Sequence, residues 1–250
     1  VTVVSTLLNA DKKPGYTQEL REEYSVIRER IAKRSNKRVL LSYVEANENL
    51  FSPDWDDYSP PLPSFLGTRV FDDYPLESLL DYIDWTPFFI TWSLAGKYPA
   101  ILKDGKVGAS ATELFADAQA LLKLILAEKL LKARAVIGFW PANSVDCNDV
   151  QLYQPDDSDE ALARLHFLRQ QIPKDVDLPN LCLADYVAPA TVGYRDYLGA
   201  FVVTAGIGAD TLAAKFEAEH DDYSALLVKA LADRLAEAFA EQLHERVRKE

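Results

Sequence analysis

Asp84 stands between Ile83 and Trp85 in DYIDWTPFFITWSLAGKYP, residues 81–99, where carboxylates interleave with large apolar rings. A carboxylate there has two uses. It can cap or close the turn at Thr86-Pro87, because backbone approaching a proline is turned away from continuing helix. Or it can project past the end of a helical stretch, against Trp85 and Phe88, and grip a cation beside a low-dielectric wall. A second pair lies in the terminal segment. Arg234 and Glu237 are three residues apart, a spacing that puts them on one helix face. Leu227, Ala230 and Ala238 flank them, which implies partial burial. A desolvated ion pair is a poor source of stability, whereas a free amino acid needs both groups: a carboxylate for its ammonium and an arginine for its carboxylate. A helix-surface salt bridge accounts for the same letters.

Other chemistry is thin. There is no G-x-x-x-x-G-K-[ST], G-x-G-x-x-G, G-x-S-x-G or H-E-x-x-H, so the commonest phosphate, nucleophile and zinc signatures are missing. The segment AGIGAD, residues 205–210, could cradle an anion at a helix start or be a plain strand-to-helix turn. His166, His220 and His244 are dispersed. His220 with Asp221 and Asp222 could bind a metal or mark a helix break, and no metal site is assigned.

These residues must be positioned by helices and strands that the pattern predicts in a mixed order. A charged helix over 17–34 carries a thin stripe of Leu20, Tyr24, Ile27 and Ile31, and so leans on a neighbour. TRVFDDYP reads as a strand and LESLLDYI as a helical stretch ending near Asp84. A long helix over 109–131 turns Leu114, Ala118, Leu121, Leu122 and Ile125 inward. RAVIGFWPA reads as a buried strand stopped by Pro141, with DVQLYQP its hairpin partner and NSVDCN the turn. ARLHFLRQQI gives one more short element. LCLADYVAP and DYLGAFVVTAG both read as strands. Residues 210–249 are helical with a break at EHDDY, where Asp221 or Asp222 caps the second helix. Strands segregated from terminal helices predict an α+β fold with a mainly antiparallel, twisted sheet and flanking helices.

The chain has 250 residues, 48% of them hydrophobic, and a formal net charge of −12. That charge disfavours nucleic acid and anionic membrane, and the apolar runs are too short to span a bilayer. Cys147 and Cys182 are widely spaced and no secretory signal opens the chain, so a cytoplasmic setting is expected. Methionine is absent, and the last helical pattern has no stop signal. The sequence therefore reads as an excised piece, with a C-terminally incomplete fold.

YIDWTPFFITWSLAGKYPAIL, LCLADYVAP, DYLGAFVVTAG and EAEHDDYSALLVKALADRLAEAFAEQLHERVRK together resemble the activation domain of cobalamin-dependent methionine synthase, from about Asp54 to Lys249. The resemblance implies three parts: residues 1–35 as the tail of a cobalamin-binding domain, 36–65 as a proline-rich linker, and 66–250 as the activation domain. It implies a methyltransferase context in which this piece alone is not catalytically competent. S-adenosylmethionine is presented to cobalamin held by the preceding domain, and an electron from flavodoxin or an equivalent reductase restores methylcobalamin. Zinc belongs elsewhere in the full-length enzyme. The family's ligand contacts fall on Asp84, Arg234 and Glu237, with Asp233 a contact to the cobalamin domain. The family's Arg-x-x-x-Gly-Tyr-Pro segment has no counterpart here, so weak or absent ligand binding is expected. The alternative is an acidic docking module for the cobalamin domain and a flavodoxin-like reductase, without ligand binding in this fragment. Flavodoxins being themselves acidic, a −12 surface argues against simple charge steering.

Overall fold

The computed structural model describes residues 2–34, 40–156, 158–175 and 177–250. Two compact units emerge. The first comprises Val1–Trp55, Ser144–Asp149 and His166–Tyr186, and the second Asp56–Asn143, Val150–Leu165 and Val187–Glu250. The boundary expected near residue 36 lies outside the described residues.

The second unit is built on a five-stranded sheet: β1 (Gly67–Tyr74), β2 (Lys132–Val145), β3 (Asp149–Tyr153), β4 (Ala161–His166) and β5 (Asp196–Ile207). The order is β1-β2-β3-β4, with β5 also on β2. Both pairings whose register is defined are antiparallel, aligning Val70, Val136 and Val202 across β1, β2 and β5. In β2, Ala133, Ala135 and Ile137 are buried while Lys132, Arg134 and Val136 are exposed, the period-2 alternation of a strand with one covered face. The strand does not stop at Pro141 as expected. Phe139 is the last β2 residue paired with β1, while Pro141 still stands opposite Tyr197 of β5. A proline there removes one donor, which faces only one of the two edges.

Helices α4 (Trp85–Thr91), α5 (Gly108–Ala127), α6 (Ala209–Ala218) and α7 (Asp222–Lys249) close the covered face. The five α5 residues expected to face inward are all buried. That helix ends four residues early because Lys129 turns left-handed, at φ 51°. Leu130 N–H then bonds back to Ile125 O at 3.0 Å, satisfying a terminal carbonyl. In α7, Leu227, Val228, Leu231, Leu235, Ala238, Phe239 and Leu243 recur at steps of one, three and four and are buried, a core-facing stripe. Phe88, Phe89, Leu122, Ile125, Leu231, Leu235 and Phe239 share one core with Ala133, Ala135 and Ala205 of the sheet. The proline arm lies on this unit's strands, with Phe65 edge-on to Phe139 at 5.2 Å and Arg69 4.0 Å over Phe65.

The first unit contains α1 (Thr2–Leu8), α2 (Lys13–Arg34) and α3 (Tyr43–Glu48). Helix α2 starts four residues before Thr17, with Pro14 in its first turn, where a missing N–H costs nothing. Its stripe is covered only in part: Leu20 and Ile27 are half-buried, while Tyr24 and Ile31 are 51% and 58% exposed. Ser42 and Glu45 cap α3 reciprocally, at 3.2 and 2.8 Å, a capping box. LCLADYVAP is not a strand. Leu183–Tyr186 is a 3-10 turn, because Asp185 both bonds its own N–H to Cys182 O (3.1 Å) and accepts Cys182 N–H on its carboxylate (2.8 Å). Such local side-chain bonding competes with a sheet ladder. Among the described residues no helix is long and apolar enough to cross a membrane.

Candidate functional site

Asp84 is the N-cap of α4. Its Oδ1 accepts Thr86 N–H at 2.9 Å, so one carboxylate oxygen satisfies an orphan donor of the first turn. Pro87 does not prevent helix here, since it sits third in that turn, where its absent N–H has no intrahelical partner anyway. The preceding stretch, Leu76–Tyr82, is a separate 3-10 turn. The cap stays exposed while Trp85, Phe88 and Phe89 point into the core. Asp84 therefore faces solvent at the rim of an aromatic cluster in which Trp85 packs edge-on against Phe88 and Phe115, at 5.4 and 4.9 Å.

On α7 the buried stripe leaves Asp233 and Glu237 exposed and Arg234 half-buried. The Arg234 side chain is 16% exposed and donates to Asp233 at 2.5 Å. Among the described residues no ion pair joins it to Glu237. Partial burial thus holds for Arg234 and not for Glu237. Asp233 and Glu237 stand one turn apart, an arrangement of like charges that costs a few tenths of a kcal/mol in an isolated helix, and the guanidinium offsets it from one side.

The segment bearing Asp84 is tied to α7 at both ends. Tyr82 donates to Glu245, and Trp92 packs against Tyr223 with ring centroids 5.2 Å apart. These anchors lie about 33 Å apart along the helix at 1.5 Å per residue, and the turn carrying Asp233, Arg234 and Glu237 lies between them. Among the described residues no hydrogen bond or ion pair joins Asp84 to Asp233, Arg234 or Glu237: Asp84 bonds to Thr86 N–H and Arg234 to Asp233. The N-terminal anchor is electronegative: burial, then the hydrogen bond to Asp117, pushes the Tyr223 hydroxyl up to about 12.

A family model described as the vitamin B12 dependent methionine synthase, activation domain, matches residues 75–250. The chain belongs to this family. Among solved structures, a crystal structure of the MetH reactivation domain bound to AdoHcy is 51% identical and covers 84% of the chain, with a TM-score of 0.79. The chain spans 64% of that protein's length. The antiparallel sheet with flanking helices is the fold of that reactivation domain.

The remaining sequence candidates resolve into structural roles. Gly208 begins α6 with φ +101°, and a Cβ there would lie 2.6 Å from Leu130 O, so AGIGAD is a strand-to-helix turn that needs glycine. His220 is left-handed at φ 60°, with Asp221 N–H returning to Phe216 O at 2.9 Å. Asp221 caps α7 through Ser224 N–H at 2.9 Å, and hydrogen bonding from the Ser224 side chain, then from its backbone, holds the Asp221 carboxyl below the usual range. Among the described residues no group of three His, Cys, Asp or Glu could hold a metal.

Sequence reasoning missed the most buried charges. Arg169 in the first unit is fully enclosed. It makes a two-pronged contact with Asp185 at 2.6 and 2.7 Å, and donates to Asn180 O (2.6 Å), Cys147 O (2.9 Å), Asn148 Oδ1 (2.9 Å) and Asn47 Oδ1 (3.0 Å). Bonding to Asp185 holds the guanidinium above its ordinary value. Neighbouring Leu168 is 94% exposed, the reverse of what hydropathy predicts, so no local signal marked this cluster.

Proposed function

We propose that the chain is the reactivation module of a cobalamin-dependent methionine synthase and binds S-adenosylmethionine as methyl donor. The observation that carries this reading is the 51% identity to a MetH reactivation domain whose crystal structure holds AdoHcy. AdoHcy is what S-adenosylmethionine becomes once its methyl group has left. Residues 66–250 are the activation domain in this reading, 36–65 its linker and 1–35 the tail of the cobalamin-binding domain. The protein works in the cytoplasm.

Asp84 and Glu237 are assigned to the ligand's ammonium, and Arg234 to its carboxylate. Asp84 has one oxygen committed to the α4 cap and the other available. Arg234 reaches the ligand by exchanging Asp233 for another carboxylate, an exchange of equals for a bidentate guanidinium. Asp233, released, then faces the cobalamin domain. Cobalamin, held by that domain and reduced by a flavodoxin-like partner, supplies the nucleophile. The leaving group is already a sulfonium, so no residue of this chain need move a proton. Its task is to fix one end of the donor so that the methyl group is aimed outward.

Calorimetry with AdoHcy and S-adenosylmethionine tests the assignment. Asp84→Asn and Glu237→Gln are each expected to weaken both ligands about tenfold, the worth of one charge-assisted hydrogen bond. Absence of binding by the unsubstituted chain, or unchanged affinity in both variants, overturns it.

A further inference from the structure

Tyr98 is tied to the turn that presents Asp84. Its backbone N–H donates to Thr86 Oγ1 at 3.3 Å, and Thr86 N–H donates to Asp84 Oδ1 at 2.9 Å. Two hydrogen bonds therefore link the Tyr98 backbone to the Asp84 carboxylate. The ring is held as well. It stacks on Phe89 with centroids 6.3 Å apart and planes 15° from parallel, and tilts onto Phe115 at 5.4 Å. Phe89 is fully buried, so the plane of Tyr98 is set by the core. Gly96 lets the connecting loop close down, since a Cβ there would lie 2.9 Å from Ile101 Cγ1. Trp85, Phe88 and Phe89 are turned away from solvent, whereas Tyr98 is 37% exposed. It is the member of this aromatic cluster that reaches the surface beside a solvent-facing carboxylate.

We propose that Tyr98 is a further ligand-contacting residue, its ring the platform on which the nucleoside end of the molecule held by Asp84 stacks. This rests on the function proposed above. A pre-fixed aromatic plane loses little entropy on binding and accepts a base through its π face. The link through Thr86 ties the backbone of the platform residue to the turn that presents the carboxylate, so one ligand with an amine at one end and a base at the other can engage both. The division of labour is chemical: Asp84 reads charge, and Tyr98 reads a flat, uncharged ring.

The experiment compares AdoHcy with 5′-methylthioadenosine, which keeps the nucleoside and lacks the amino-acid end. Tyr98→Leu is expected to weaken both at least about fivefold, the low end for base–aromatic stacking, and Tyr98→Phe to retain both affinities. Asp84→Asn is expected to weaken AdoHcy alone. In the unsubstituted chain, the Tyr98 ring-proton resonances, identified by comparison with Tyr98→Phe, are expected to shift when AdoHcy is added. Tyr98→Leu weakening AdoHcy but not 5′-methylthioadenosine, or Tyr98 resonances unmoved by saturating AdoHcy, overturns the assignment. If Asp84→Asn still weakens AdoHcy while Tyr98→Leu changes nothing, only the Tyr98 proposal falls. If the unsubstituted chain binds neither ligand, the proposed function falls with it.

Discussion

Replacing Asp185 by alanine is expected to destabilise the first unit by about 3–5 kcal/mol, the cost of stranding a buried charge without its partner. Arg169 has no exposed side-chain surface and Asp185 only 3%, so water cannot take the place of the lost carboxylate. The guanidinium loses two of its six hydrogen bonds, and Cys182 N–H loses its acceptor. Arg169→Met is expected to cost a similar amount by the reciprocal route, because Asp185 keeps its charge while Asn180 O and Cys147 O lose their donors. The double variant Arg169→Met/Asp185→Leu removes both charges and should cost less than the two singles together, with a coupling of about 1–3 kcal/mol. It should not return to the starting stability, since the carbonyls and the Asn47 and Asn148 oxygens remain buried without their donor. Two compact units need not unfold as one transition, so the assay is native-state hydrogen exchange read residue by residue. The Phe167, Gln170, Asn180 and Cys182 amides report on the first unit, and the β2–β5 ladder on the second. A protection loss below about 1 kcal/mol at the first set, or an equal loss in both sets, would refute the reasoning.

Phe239 is fully buried and packs on Tyr74 with ring centroids 4.3 Å apart. Phe239→Ala should therefore lose about 3–5 kcal/mol in urea unfolding, and a cost under about 1.5 kcal/mol would show that the site collapses freely. Gly208→Ala adds a Cβ 2.6 Å from Leu130 O at φ +101° and should cost about 1–3 kcal/mol; a neutral outcome would contradict the strained turn. Tyr223, raised to about 12, contributes stability that is fully present below the ordinary tyrosine value near 10. That contribution is lost as pH rises toward 12, and the difference absorbance titration against Tyr223→Phe should show no ionisation of this hydroxyl at pH 10–11. Asp233→Asn frees Arg234 from an exposed ion pair worth little in water and should tighten AdoHcy binding about two- to fivefold in calorimetry, whereas weaker binding would remove Arg234 from the ligand's carboxylate.

What the sequence reveals divides along the physical origin of each element. Helices α5 and α7 and the first half of strand β2 are legible because each buries one face of a regular repeat, and a repeat is a property of neighbouring letters. The first unit is not, because residues 144–149 and 166–186 return to it from far along the chain, joined by asparagine side chains and one enclosed arginine. No window of sequence contains both Arg169 and the oxygens that satisfy it. The same limit explains LCLADYVAP, whose strand-like letters yield to an Asp185 carboxylate bonded to its own turn. On α7, spacing selects Glu237 as the partner of Arg234, since residues three apart share a face and adjacent ones do not. The observed partner is Asp233, which a long, half-buried arginine reaches by folding back along the helix surface. Asp84 was legible as a choice between cap and ligand grip, and one carboxylate oxygen takes the cap. A carboxylate has two oxygens, and a cap that fixes one of them orients the other at no further cost in side-chain freedom. Under the assignment proposed for Asp84, capping therefore does not compete with ligand binding but preorganises it.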